Sequence, residues 1–224
     1  MKKQPISLPS IGAEQEKTNL KQSLKIIRKD RNLWIFYLGY FLIYGTILSF
    51  GSLTNLIMKP YGFSNIQLSI FAIFLLLSGV VGAVCWTFYL KKSLNYRFCI
   101  RVITIFSVIS MIIICIVLNS IPNLVVVIIF GSVVGFSVTP LMPISYDLGC
   151  ELCFPMGEAQ VTGLLNGGAM LLTFFLSLII TAAIKLETKT QSLAAIIIYI
   201  VLVALGTICF YFVKIDLKRR NAEQ

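Results

Sequence analysis

Histidine is absent from the 224 residues, and charged side chains make up only 12% of them. The first absence removes the commonest metal ligand and the usual general base. The second excludes an ordinary soluble domain, which carries about 25% charged residues. Carboxylates are the scarcer charge: Asp and Glu number 9 against 19 Lys and Arg. Neither a nucleophile elbow nor a metal-ligand spacing occurs. Cys150-x-x-Cys153 stands alone, and two helix-packing cysteines account for it better than a metal or redox pair. We therefore expect no enzyme, no metal centre and no resident cofactor. An apolar leader is missing too. The stretch from Met1 to Asp30 is polar and lacks the 7–15-residue apolar centre of a secretory signal.

What the chain has in quantity is apolar surface. Hydrophobic residues make up 58%. They fall into six runs of about 20 residues or more, the length that crosses a hydrocarbon layer of ~30 Å. This predicts an all-α membrane protein. Its six transmembrane helices lie at about 33–58, 65–90, 98–118, 124–147, 156–184 and 191–214, within one bundle over 32–214. Residues 1–31 precede it. There Leu20, Leu24 and Ile27 recur at helical spacing among basic residues, which describes either an amphipathic helix on an anionic membrane surface or a solvated connecting helix. Residues 215–224 form a short tail.

The net charge of +10 would suggest nucleic acid in a soluble chain. Here the charge sits at the ends of apolar runs, so topology explains it and no nucleic-acid partner is expected. The first segment carries eight Lys and Arg, the loop after the second run four, and the tail from Lys214 four; only Lys59, Lys185 and Lys189 lie on the other side. Basic flanks stay cytoplasmic. Both termini are expected inside, in an integral multi-pass protein whose partners begin with the lipid bilayer.

Polar chemistry inside the runs is rare enough to single out. Tyr37, Tyr40 and Tyr44 follow at i, i+3, i+7 in the first run, with Gly51 and Asn55 continuing that face. Hydroxyls and amides are costly against lipid, so this face should look inward, as a cavity wall or as interhelical hydrogen bonding. The fourth run contains Gly131, Gly135, Thr139, Pro140 and Pro143. Proline in a helix removes a backbone bond and clashes with the preceding turn, so a hinge is expected at Gly135, Pro140 and Pro143. Asp147, Glu151 and Glu158 are three of the nine carboxylates, placed at the join between the fourth and fifth runs. Lys91, Lys92 and Arg97 fill the loop after the second run, on the same expected face. A basic residue of that loop is expected to pair with Glu151 or Glu158, as a cytoplasmic gate; plain solvation or helix capping is the competing account.

The pattern Glu151-x-x-Phe154-Pro155-x-x-Glu158, then Gly163-Leu164-Leu165-Asn166, resembles the feline leukaemia virus subgroup C receptor family within the major facilitator superfamily. That family carries E-x-x-Y-P-x-x-E between its tenth and eleventh helices, then G-L-L-N; Phe154 replaces the tyrosine. The resemblance covers roughly Asn32 to Ile184. It implies the carboxy-terminal half of a transporter, one 3+3 inverted repeat. The partner would then be a missing amino-terminal six-helix half or a second copy. It also implies that the first run lines the path of a small-molecule substrate, of haem or choline/ethanolamine type, moved by alternating access. Tyr40 and Asn55 fall where the family's tyrosine and asparagine are expected, whereas Leu48 stands for its deeper aromatic. Where the family reads L-L-N-x-x-A-Q, this chain has Met170 after Leu164-Leu165-Asn166. The cavity candidates are thus Tyr40, Tyr44, Asn55, Asn166 and Met170, facing the absent half. The superfamily's latch motif departs here too, with Lys91 in place of its aspartate. A structural or regulatory membrane partner without transport of its own remains the alternative.

Overall fold

The computed structural model describes residues 27–120, 123–154, 156–184 and 188–215. The segment before Ile27, including most of the expected amphipathic helix, lies outside them, as do Pro155 and the tail from Asp216. Among the described residues every regular element is helical. Six helices are long and apolar enough to cross a membrane: Arg31–Ser52, Asn65–Ser93, Tyr96–Ser120, Leu124–Leu152, Glu158–Ala183 and Lys189–Phe212. We number them as spans one to six.

Short polar side chains set the boundaries. Asp30 opens span one by accepting from the Asn32 amide at 2.9 Å. Ser64 and Gln67 form a reciprocal capping box at span two, and Asn123 accepts from the Val125 amide at span four. Such caps satisfy amides that the first turn leaves without intrahelical partners. Span two ends on Leu94 at φ 52°, a left-handed turn that usually takes glycine or asparagine. Lys91 and Lys92 occupy its last turn, where cations suit the helix dipole.

The packing is an inverted repeat of three plus three. Span one packs on spans five and six, span four on spans two and three, and span three on span six. Exchanging one with four, two with five and three with six leaves that pairing unchanged. Three crossings separate the members of each pair, so the exchanged helices run in opposite directions. Burial obeys the same exchange. The most apolar windows of spans one and four are 56% and 44% buried, those of three and six 39% and 33%, and those of two and five 22% each. Polar seams repeat as well: Ser49 with Tyr199 at 3.0 Å joins spans one and six, and Ser137 with Ser110 at 3.0 Å joins spans four and three.

Both central spans are broken. Span four stops at Val138 and resumes at Leu141, with Thr139 and Pro140 as the turn between. This places the break at Pro140 alone. Pro143 sits in the first turn of Leu141–Leu152, where a missing amide costs no intrahelical bond. Gly135 lies within unbroken helix. It is a contact, not a hinge: a Cβ there would stand 2.1 Å from the Leu75 carbonyl oxygen, so its bareness lets spans two and four touch backbone to backbone. Span one, expected as one helix over 33–58, has a π-helical turn at Phe41–Gly45 and a further break at Leu53 before Thr54–Met58.

Candidate functional site

The two broken spans meet at a cluster of tyrosines. Tyr40 is the last residue before the π turn and is fully buried. Its ring stacks on Tyr44, with centroids 5.2 Å apart and planes 21° from parallel. Tyr146, on the piece of span four after the Pro140 break, stands 6.2 Å from Tyr40. The Tyr44 hydroxyl donates to the Met142 sulfur at 3.1 Å. Met142 and Tyr146 share a helical face because they are four residues apart. The three hydroxyls converge, yet those of Tyr40 and Tyr146 have no hydrogen-bond partner, and neither does the buried Ser145 hydroxyl. A polar atom orphaned in a packed interior costs about 1–3 kcal/mol. Three of them in one place mark a spot organised for something besides packing.

Chemically the cluster offers aromatic faces, a thioether and uncommitted hydroxyls. Aromatic faces attract ammonium groups by roughly 0.5–2 kcal/mol, and methionine sulfur is soft and adaptable. Among the described residues no group of three or more His, Cys, Asp or Glu is placed to hold a metal ion.

The remaining cavity candidates are spread out. Tyr40, expected on a wall open to the absent half, is instead covered by span four, which the Pro140 turn redirects over it. Tyr44 is half-buried. Asn55 is exposed on Thr54–Met58, beyond the Leu53 turn that separates it from the tyrosines. Asn166 is half-buried and Met170 is 54% exposed, one turn apart on span five. Sequence reasoning missed Tyr146 and Met142. Both lie in the stretch treated as a hinge, and their i, i+4 spacing was the signal that the prolines obscured.

At the basic end of the bundle the contacts differ from those expected. Tyr96, rather than a cation, reaches the join: its hydroxyl donates to Asp147 at 2.6 Å. Arg97 donates to the Ile215 carbonyl at 3.1 Å. Two adjacent residues thereby tie the ends of spans three, four and six. Arg101 lies 4.7 Å over the Tyr211 ring, a second link between spans three and six. Asn32 exchanges two 2.8 Å hydrogen bonds with the Lys214 backbone, tying span one to span six. Glu158 stands in the first turn of span five, where a carboxylate suits the helix dipole. Lys91, Lys92 and Arg97 are exposed and Glu151 is half-buried.

Residues 2–171 match the family model described as the Major Facilitator Superfamily. Among curated proteins, the chain is 26% identical over 222 residues to an uncharacterised MFS-type transporter of Caenorhabditis elegans, covering 97% of the chain and 37% of that protein. It is 27% identical over 206 residues to the choline/ethanolamine transporter FLVCR1 of Felis catus, covering 92% and 36%. It is also 27% identical over 224 residues to the choline/ethanolamine transporter flvcr2a of Danio rerio, covering 98% and 47%. The chain thus spans less than half the length of these relatives.

Proposed function

The chain belongs to the Major Facilitator Superfamily, and from that premise we propose that it forms one half of an alternating-access transporter for a small organic cation. The observation that carries the reading is the tyrosine cluster: two broken spans, related by the internal exchange, deliver Tyr40, Tyr44, Tyr146 and Met142 to one place. Broken helices near the middle of a repeat are where transporters put their sites. Rings and a thioether suit a quaternary or primary ammonium group, and an uncommitted hydroxyl suits an alcohol. Choline and ethanolamine, the solutes named for the relatives, have both features.

Asn166 and Met170 on span five, with Asn55 at the far end of span one, belong in this proposal as parts of a wider wall facing a companion half. That companion is an amino-terminal six-helix half or a second copy of the chain. The Tyr96–Asp147 and Arg97–Ile215 ties hold the cytoplasmic end of this half together, while Lys91, Lys92, Glu151 and Glu158 provide charge at the surface that meets the companion. The hinge of the cycle is Pro140.

Uptake of labelled choline by cells expressing the chain with an amino-terminal half tests the reading. Tyr44→Ala should reduce uptake about tenfold, the effect of roughly 1.4 kcal/mol of lost ring–cation attraction. Tyr44→Phe should retain most of it, because the ring is kept. Equal uptake by the unsubstituted chain and a Tyr44→Ala, Tyr146→Ala double variant would reduce the cluster to packing.

A further inference from the structure

On the side of the bundle that carries most of its basic residues, spans one and five part around a cleft of about 1030 Å³. One wall is aromatic, from Trp34, Tyr37 and Phe41; the other is bare, at Gly163 and Gly167. A Cβ added at either glycine would meet nothing within 4 Å. The space exists because those positions carry no side chain. Farther along the seam the Phe41 ring rests on Gly168 and closes it.

Internal symmetry makes this opening conspicuous. The seam that the exchange relates to it, between spans two and four, is filled: Phe71 covers Gly131, and the Leu75 backbone covers Gly135. One of two equivalent seams is sealed and the other is left open. Its volume is at the upper end of the range for small-molecule sites.

The charge on the cleft says what suits it. Arg28 lines it and is exposed; among the described residues it has no hydrogen-bond or ion-pair partner. Trp34 stands beside it, 44% exposed, in the manner of an aromatic at a membrane–water interface. The remaining wall is apolar. A ligand matching this has a long apolar body and one anionic end. A soluble anion would leave the apolar floor unused, and a solute as small as the tyrosine cluster accommodates would not fill it.

We infer that the cleft binds an anionic phospholipid of the leaflet on its own side. One acyl chain lies over Gly163 and Gly167 beneath the aromatic wall, and the head-group phosphate faces Arg28. Anionic lipid is what a basic residue at a cytoplasmic membrane surface meets. The inference is independent of which solute the tyrosine cluster takes.

The full chain has two tryptophans, so Trp86→Phe leaves Trp34 as the single reporter. The protein is reconstituted into vesicles containing brominated-acyl phosphatidylserine or brominated-acyl phosphatidylcholine, and Trp34 quenching is followed against mole fraction. Half-quenching should need about fivefold less phosphatidylserine than phosphatidylcholine, the preference one basic residue near the surface confers. Arg28→Gln should bring the two curves together. Gly163→Leu with Gly167→Leu, which fills open space, should also abolish the preference while circular dichroism stays unchanged. If the glycine variant does not fold, the exposed Arg28→Gln still decides. Coincident curves for unsubstituted Arg28 would overturn the inference, as would a preference that survives Arg28→Gln. Quenching that appears only after residues 1–26 are removed would overturn it too, by assigning the cleft to the chain's own amino-terminal segment.

Discussion

Tyr40 is fully buried and its hydroxyl finds no hydrogen-bond partner, an arrangement that packing alone does not favour. Removing the hydroxyl removes an unmet desolvation penalty. Tyr40→Phe should therefore raise the thermal stability of the purified, unliganded protein, by an amount within the 1–3 kcal/mol such groups cost. A fall in melting temperature would show that the hydroxyl is satisfied and that the cluster is structural. Part of this was legible beforehand: the spacing of Tyr37, Tyr40 and Tyr44 put them on one face, and polar groups on such a face point away from lipid. Tyr146 was not legible. Its approach to Tyr40 depends on the direction span four takes after Pro140, and that direction is a tertiary outcome, not a property of local sequence.

Between helices, bare residues do two opposite jobs that look alike in a sequence. Gly135 and Gly163 are each a glycine in an apolar run. Gly135 admits the Leu75 backbone to 2.1 Å of where a Cβ would be, whereas Gly163 has nothing within 4 Å. Backbone cannot step aside as a flexible side chain can. Gly135→Ala should cost about 1–3 kcal/mol by overpacking, read as a lower melting temperature in detergent. Gly163→Ala should cost nothing and can gain up to ~1 kcal/mol of helix propensity. Equal losses at both sites would mean that the two seams are alike and that the cleft is closed in solution. The same limit explains the hinge. Proline and glycine were both read as flexibility, but only Pro140 interrupts the backbone. The π turn at Phe41–Gly45 carries no proline and left no mark in the hydropathy pattern, because one extra residue per turn leaves the composition of the run unchanged.

For the molecule as a whole, length and hydropathy were enough to find all six spans, and their odd and even members are enough to set the inverted repeat. The orientation rests on the distribution of Lys and Arg. In a background with the six native cysteines replaced, Lys92→Cys should be labelled by a membrane-impermeant maleimide only after permeabilisation. Thr188→Cys should be labelled in intact cells. The reverse pattern would invert the protein and move the open cleft to the other leaflet. The loop and the acidic join did meet on one face, as their positions between spans required. The partner was misjudged because charge was matched with charge, whereas Tyr96, at the start of span three, is the side chain long enough and near enough to reach Asp147.

The paired hydrogen bonds between Asn32 and Lys214 join residues 182 positions apart. During synthesis at about 5–20 residues per second, the first span waits on the order of ten to forty seconds before its partner is made. It is also the least apolar of the six, with a mean hydropathy of 1.7 in its best window. For that interval its tyrosines and Ser49 lack the span-four, span-five and span-six neighbours that later enclose them. Biogenesis of this bundle therefore needs a temporary host for span one: the insertion machinery, an assembly factor, or a companion half already in the membrane. The last helix to emerge is the one that releases it.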